Sequence, residues 1–200
     1  MKGSLVIIVF FVLGAFLGFN GLAPSLFIDY NISLYALCTL VFFVGISITS
    51  DPKILRSFRS LNPRLLLLPL MTIIGTLIGT AVVGFIYSEH PVTDCMAVGS
   101  GFGYYSLSSV LIGEKRSADL ATIALLSNII REIIALVGAP IINKYLGPYA
   151  TIAAGGATTL DTTLPTITNV IGKDYTILCI FHGLVLDASV VILVTFLCSL

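Results

Sequence analysis

Apolar residues gather into long runs along this chain, divided by short polar connections. Runs of about 18 or more residues recur over its whole length, and each can cross a hydrocarbon core roughly 30 Å thick. The pattern predicts spans at 4–22, 32–49, 65–87, 95–112, 120–142, 150–171 and 176–198. Between them lie Asn20 to Asn31 with Pro24, Asp51 to Arg64, Ser88 to Asp94, Gly113 to Asp119, Asn143 to Tyr149, and Gly172 to Tyr175. The first run follows a lone Lys2 but has no small-residue cleavage site, and further spans follow it, so it reads as a helix and not a signal peptide. The expectation is an all-α integral membrane protein of about seven transmembrane helices in one domain, 1–200.

Composition strengthens this picture. Hydrophobic residues make up 57% of 200 positions, charged residues 10%, and the mean hydropathy is +1.07. A soluble domain carries about 25% charged residues. The four cysteines (Cys38, Cys95, Cys179, Cys198) stand singly in or at the ends of apolar runs, with neither a C-x-x-C pair nor metal-ligand spacing. They read as packing residues, and neither a metal nor a cofactor is expected.

Charge placement adds an orientation. With the N-terminus cytoplasmic, Lys2, Lys53, Arg56, Arg59, Arg64, Lys115, Arg116 and Lys173 fall inside. Outside fall Lys144, Asp29, Glu89 and Asp94. Basic residues are retained on the cytoplasmic side during insertion, so the C-terminus is expected outside. A re-entrant 95–112 would reverse every later helix, and the basic Glu114-Lys115-Arg116 loop argues against it.

The residues that carry chemistry are the charges left inside the spans. Arg131 and Glu132 lie near the middle of 120–142, Asp161 near the middle of 150–171, and Asp187 near the middle of 176–198. A central charge costs about 2.5–3.5 kcal/mol on insertion scales, so these groups must face the bundle interior or water. Structural ion pairing is the bland reading, because Arg131 could pair with any one acid. One cation does not neutralise three carboxylates, however. The remaining acids must be protonated or must bind a cation, which favours a cation or proton pathway.

Two spans are also poor continuous helices, around 97–109 and around 153–165. The first reads Gly99-Ser100-Gly101-Phe102-Gly103-Tyr104-Tyr105-Ser106, the second Gly155-Gly156-Ala157-Thr158-Thr159-Leu160-Asp161-Thr162-Thr163-Leu164-Pro165. Glycine costs about 1 kcal/mol of helix propensity and proline about 3. Pro165 would clash with the Asp161 carbonyl in a straight helix. Broken helices at membrane depth belong to the binding sites of secondary transporters, often built as inverted repeats. Small-residue packing accounts for the first segment equally well, but not for the polar Thr-Thr-Leu-Asp-Thr-Thr run. Secondary candidates are His182, as a proton relay toward Asp187, and Asn128, one turn before Glu132 and placed to orient its carboxylate. Tyr104, Tyr105 and Ser106 are candidates for substrate contact, with Thr159 and Thr162 in the polar run.

The Gly101-to-Ser108 block, Asn128-x-x-Arg131-Glu132, Gly155-to-Pro165 and Phe181-His182-Gly183 together resemble the LysO-type bacterial lysine exporters, in order and in spacing. The resemblance covers roughly 65–198. It implies a multi-pass protein of the bacterial plasma membrane that exports L-lysine and lysine analogues. Lysine carries two ammonium groups and one carboxylate. On this reading Asp161 and Asp187 hold the ammonium groups, Arg131 holds the carboxylate, and Glu132 neutralises Arg131 or titrates. Proton antiport would overcome the membrane potential. Family members are commonly longer, with an extra N-terminal membrane portion. The expected partners are therefore lysine, protons, membrane lipid, and either a separate small membrane protein or a second copy of the chain; nucleic acid is not among them. A sodium–proton exchanger and a non-transporting subunit of a split transporter stay open beside lysine export. An intramembrane aspartyl protease using Asp161 and Asp187 as a dyad lacks the sequence settings such enzymes show, so an enzyme is not expected.

Overall fold

The computed structural model describes Phe16, Leu17, Thr39, Leu65, 67–87 and 89–200. The spans expected at 4–22 and 32–49, and the basic stretch 53–64, lie outside the described residues apart from the isolated positions just named. The chain divides into two units, Met1–Pro52 and Lys53–Leu200. In the first, Phe16 and Leu17 are helical and exposed, and Thr39 is helical. Everything below concerns the second.

That unit is helical throughout its described residues, as the apolar runs require. Helix α1 spans Leu67–Ile86, α2 Val92–Gly99, α3 Tyr105–Lys115 and α4 Ala118–Leu146. Helix α5 spans Pro148–Gly155 and runs into a 3-10 turn, Gly156–Leu160; α6 spans Leu164–Ile171 and α7 Thr176–Leu197. Among the described residues three segments are long and apolar enough to cross a membrane: Leu67–Ile86, Ala118–Leu146 and Lys173–Leu197. Their outer faces carry bare apolar side chains such as Phe85, Val137 and Ile192. Such faces suit lipid and not water.

Both helix breaks fall where glycine and proline place them. The first break is Ser100–Tyr104, with Phe102 at φ 46° and Gly103 at φ 96°. The second runs through the 3-10 turn to Thr163, and α6 restarts with Pro165 in its first turn, where the missing N–H costs nothing.

The course of the broken segments differs from the sequence expectation, since neither 95–112 nor 150–171 crosses. Each enters and returns to the end it came from. Arg116 Nε lies 3.2 Å from Asp94 Oδ1, joining the residue after α3 to the first turn of α2. A through-going α2–α3 would hold these groups some 30 Å apart, at about 1.5 Å per residue. At the opposite end Asn143 Nδ2 donates to Val170 O, and the Tyr149 and Tyr175 rings meet edge to face at 6.1 Å. Ile152, Ile167, Leu178 and Cys179 bury one another there, closing α5, α6 and α7 together. Residues 92–115 are therefore one re-entrant hairpin and 148–171 another. Loops 88–94 and 113–119, expected on opposite sides, share one end (end A); 143–149 and 172–175 share the other (end B). The cause is that a hairpin and a crossing of similar length have the same composition.

The order is thus helix and hairpin, then helix and hairpin upside down. Helix α1 runs from end B to A and its hairpin dips in from A. Helix α4 runs from A to B and its hairpin dips in from B. Helix α7 makes the third crossing, back to A. This is an inverted repeat of one helix plus one hairpin.

Candidate functional site

The two hairpin tips meet inside the bundle, backbone to backbone. The Ala157 N–H donates to Phe102 O at 2.9 Å. A Cβ on Gly156 (φ 65°) would lie 2.1 Å from that same oxygen, so only glycine permits the crossing. Helix α7 closes on the second tip through Gly183, where a Cβ would meet Leu160 N at 2.5 Å and Ala157 O at 2.8 Å. The irregular backbone is buried in protein over 100–103 and 156–159, as an apolar surround demands, and the second break then emerges at Asp161 and Thr162.

Helix α4 fastens both tips from residues one turn apart. Asn128 is buried; its Oδ1 accepts from Gly103 N at 2.7 Å, and its Nδ2 donates to Val98 O at 3.1 Å and Ala124 O at 2.9 Å. Its amide is thus spent on the first hairpin, with no bond to Glu132, which corrects the orienting role expected for it. Arg131 reaches the second hairpin: Nη2 donates to Ala153 O at 3.1 Å and Nε to Ala154 O at 3.4 Å. Nη1 donates to Thr76 Oγ1 at 3.5 Å, and the guanidinium lies 5.8 Å from the centre of the Phe102 ring. The carbonyls it holds are at the C-terminal, negative end of α5, where a cation is favoured. Among the described residues Arg131 forms no ion pair with Glu132, Asp161 or Asp187.

The three acids converge elsewhere. Asp161 follows the 3-10 turn just ahead of α6, exposed, with Oδ1 accepting from Thr162 N at 2.5 Å. It precedes the positive end of a half-helix, which suits a carboxylate. Asp187 is half-buried on α7 and within electrostatic reach of Asp161. Tyr104 faces the field of both, and Tyr105, which opens α3, faces Glu132 and Asp161. Both tyrosines are half-buried, while Ser106 and Thr162 are exposed beside them. Asp161, Asp187, Tyr104 and Tyr105, from both breaks and α7, thus share one electrostatic neighbourhood, which Glu132 on α4 adjoins at Tyr105.

His182 and Thr159 belong to a different network. His182 is fully buried; Nε2 lies 2.9 Å from Thr72 Oγ1 and Nδ1 3.2 Å from Thr159 Oγ1. Thr159 Oγ1 also lies 2.8 Å from Gly156 O and 3.0 Å from Cys179 O, and Thr72 Oγ1 3.0 Å from Leu68 O. A neutral ring has one N–H, so one of the two hydroxyls donates to the ring and the other to a carbonyl. The ring thereby ties α1 and α7 to the second tip, with no bond to Asp187. Sequence reading missed Thr72, Thr76 and Phe102. A threonine in an apolar helix has no local signal, and Phe102 acts through its carbonyl.

Among the described residues no group of three His, Cys, Asp or Glu side chains is placed to hold a metal ion. No solved structure matches the chain. The chain is 32% identical over 187 residues to the lysine exporter LysO of Escherichia coli strain K12, an alignment covering 92% of this chain and 60% of that protein. It is 35% identical over 167 residues to a Haemophilus influenzae strain Rd protein named "Putative lysine exporter", covering 84% of each. This chain thus spans about three fifths of the Escherichia coli relative's length. The family model described as lysine exporter LysO matches residues 8–198, and the chain belongs to that family.

Proposed function

We propose that this chain exports L-lysine, and lysine analogues, across the bacterial plasma membrane in exchange for protons. The observation that carries the proposal is the gathering of Asp161, Asp187 and Glu132 around two crossed hairpin tips, together with the family's activity. Among the described residues these carboxylates have no paired cation, which suits them to ammonium groups. Asp161 and Asp187 take the ammonium groups, and Glu132 adds a third carboxylate nearby at Tyr105. Tyr104 and Tyr105 offer hydroxyls and ring faces to a cation. Moving a positive charge outward against an inside-negative potential costs about 2.3 kcal/mol per 100 mV, which inward proton movement offsets.

The hairpins also change which residues bear on orientation. End B holds Lys144 and Lys173, and the sequence leading into Leu65 adds Lys53, Arg56, Arg59 and Arg64. End A holds Lys115 and Arg116, the latter paired with Asp94. The basic excess makes end B cytoplasmic. Lys115 and Arg116 then lie outside, Lys144 inside, and the C-terminus outside.

The test is efflux of radiolabelled lysine from cells lacking their own exporters, comparing wild type, Asp161→Asn and Asp187→Asn at matched membrane abundance. Wild type is expected to export and both variants to lose at least about a hundredfold in rate, as loss of a central charge partner implies. Export that survives both substitutions sinks the acid site. Wild type that moves no lysine, even with a neighbouring small membrane protein co-expressed, sinks lysine as the substrate.

A further inference from the structure

A groove between α1 and α4 holds two cavities that approach each other from opposite ends of the bundle. The cavity toward end A, about 510 Å³, is walled by Thr80, Tyr87 and His90 among others. The cavity toward end B, about 650 Å³, is walled by Met71, Ile142 and Ala150 among others. They share three wall residues, Thr76, Ser127 and Arg131, which mark the place where the two meet. Among the described residues lining the two cavities, Arg131 is the one Lys, Arg, Asp or Glu.

A guanidinium has five N–H donors in a fixed fork. Those of Arg131 are accounted for at Ala153 O, Ala154 O and Thr76 Oγ1, one from each nitrogen. One N–H on each terminal nitrogen remains, the arrangement that takes a carboxylate in bidentate fashion. Here the medium is apolar, where a charge-assisted pair is stronger than in water. The acids gather around Tyr104, Tyr105 and Asp187, with no ion pair to Arg131, so this fork is not neutralised by them.

We infer that Arg131 is a specificity-determining residue which binds the α-carboxylate of the transported amino acid at the junction of the two cavities, reached from either end. The inference rests on the lysine-export reading and adds to it what the site rejects. A diamine has both of lysine's ammonium groups and lacks the carboxylate. The acids alone would accept it, so discrimination against it must come from an anion receptor, and the Arg131 fork supplies one. Thr76 holds the fork in register through its hydroxyl.

The experiment uses the full chain in proteoliposomes loaded with radiolabelled L-lysine, with unlabelled L-lysine or cadaverine (lysine without its carboxylate) as competitors. Wild type is expected to prefer lysine to cadaverine by about tenfold to a hundredfold, the worth of a charge-assisted pair. Arg131→Gln is expected to bring lysine down to the level of cadaverine while leaving cadaverine's competition unchanged. Because Arg131 also holds the end of α5, Arg131→Lys serves as the second variant. It keeps the charge on the α5 carbonyls, loses the fork, and should retain only part of the preference. An unchanged lysine-to-cadaverine ratio in either variant overturns the inference, as does an equal fall for both compounds. Wild type that transports no lysine overturns the export reading itself, a separate and visible outcome.

Discussion

Hairpin 92–115 and hairpin 148–171 have the same outline, two short helices around a glycine-rich tip, yet they present different surfaces to the bundle. The tip of the first is packed away: Ser100, Gly101, Phe102 and Gly103 are all buried, and the Asn128 amide satisfies its backbone on both sides. The tip of the second is buried only as far as Thr159, and then turns out through Asp161 and Thr162, both exposed. It is held by Arg131 at the Ala153 and Ala154 carbonyls and by His182 at Thr159. A neutral amide fixes one hairpin and ionisable groups fix the other. The first is packed as a platform, and the second exposes the acid that the proposed function uses. A protein built as an inverted repeat can divide labour between its halves by changing a few side chains at equivalent depths.

The contrast can be broken at three points, from the largest effect down. Gly156→Ala drives a Cβ to 2.1 Å from Phe102 O at φ 65°, with backbone on the far side that cannot yield. More than about 4 kcal/mol of destabilisation is expected, enough to abolish accumulation of folded protein. Normal membrane abundance of this variant would mean that the tips do not cross. Asn128→Ala strands the Gly103 N–H in an apolar interior and leaves the Val98 carbonyl to the Gly101 N–H, at about 1–3 kcal/mol. A thermal melt in detergent should show a large fall in Tm; an unchanged Tm would remove the platform role. The smallest effect sharpens the layout of the two hairpins. Lys115→Cys and Lys173→Cys should both leave export intact, while an impermeant maleimide applied outside whole cells labels only the former. Labelling of Lys173→Cys alone would reverse the orientation, and labelling of both or neither would contradict the hairpins' opposite entry.

Much of this was legible in the sequence. The breaks followed from Gly101, Gly103, Gly155, Gly156 and Pro165, since these residues act on their own backbone. A common site for Asp161, Asp187 and Glu132 was an expectation from their shared depth; the structure puts Asp187 within reach of Asp161 and leaves Asp161 exposed. Re-entry was not legible. It is decided by contacts such as Arg116 with Asp94 and Asn143 with Val170, whose partners lie more than 20 residues apart. Nor were the partners of Arg131 legible. A search for its counter-charge looks among acids, but the end of a half-helix is also a negative group, and it exists only once the break has a direction. Asn128 was misread for a related reason. Helical spacing puts it beside Glu132, but two buried backbone groups of the first hairpin needed its amide more.

The half-helices that lead to the crossing, Val92–Gly99 and Pro148–Gly155, are each eight residues long. Each therefore reaches about 12 Å inward from its own end, by the rise of an α-helix. Together they act as a matched pair of rulers, setting the meeting point equally far from both surfaces. Removing one residue from either would draw its tip back by about 1.5 Å and rotate it by roughly 100°. The arms can change length only in step.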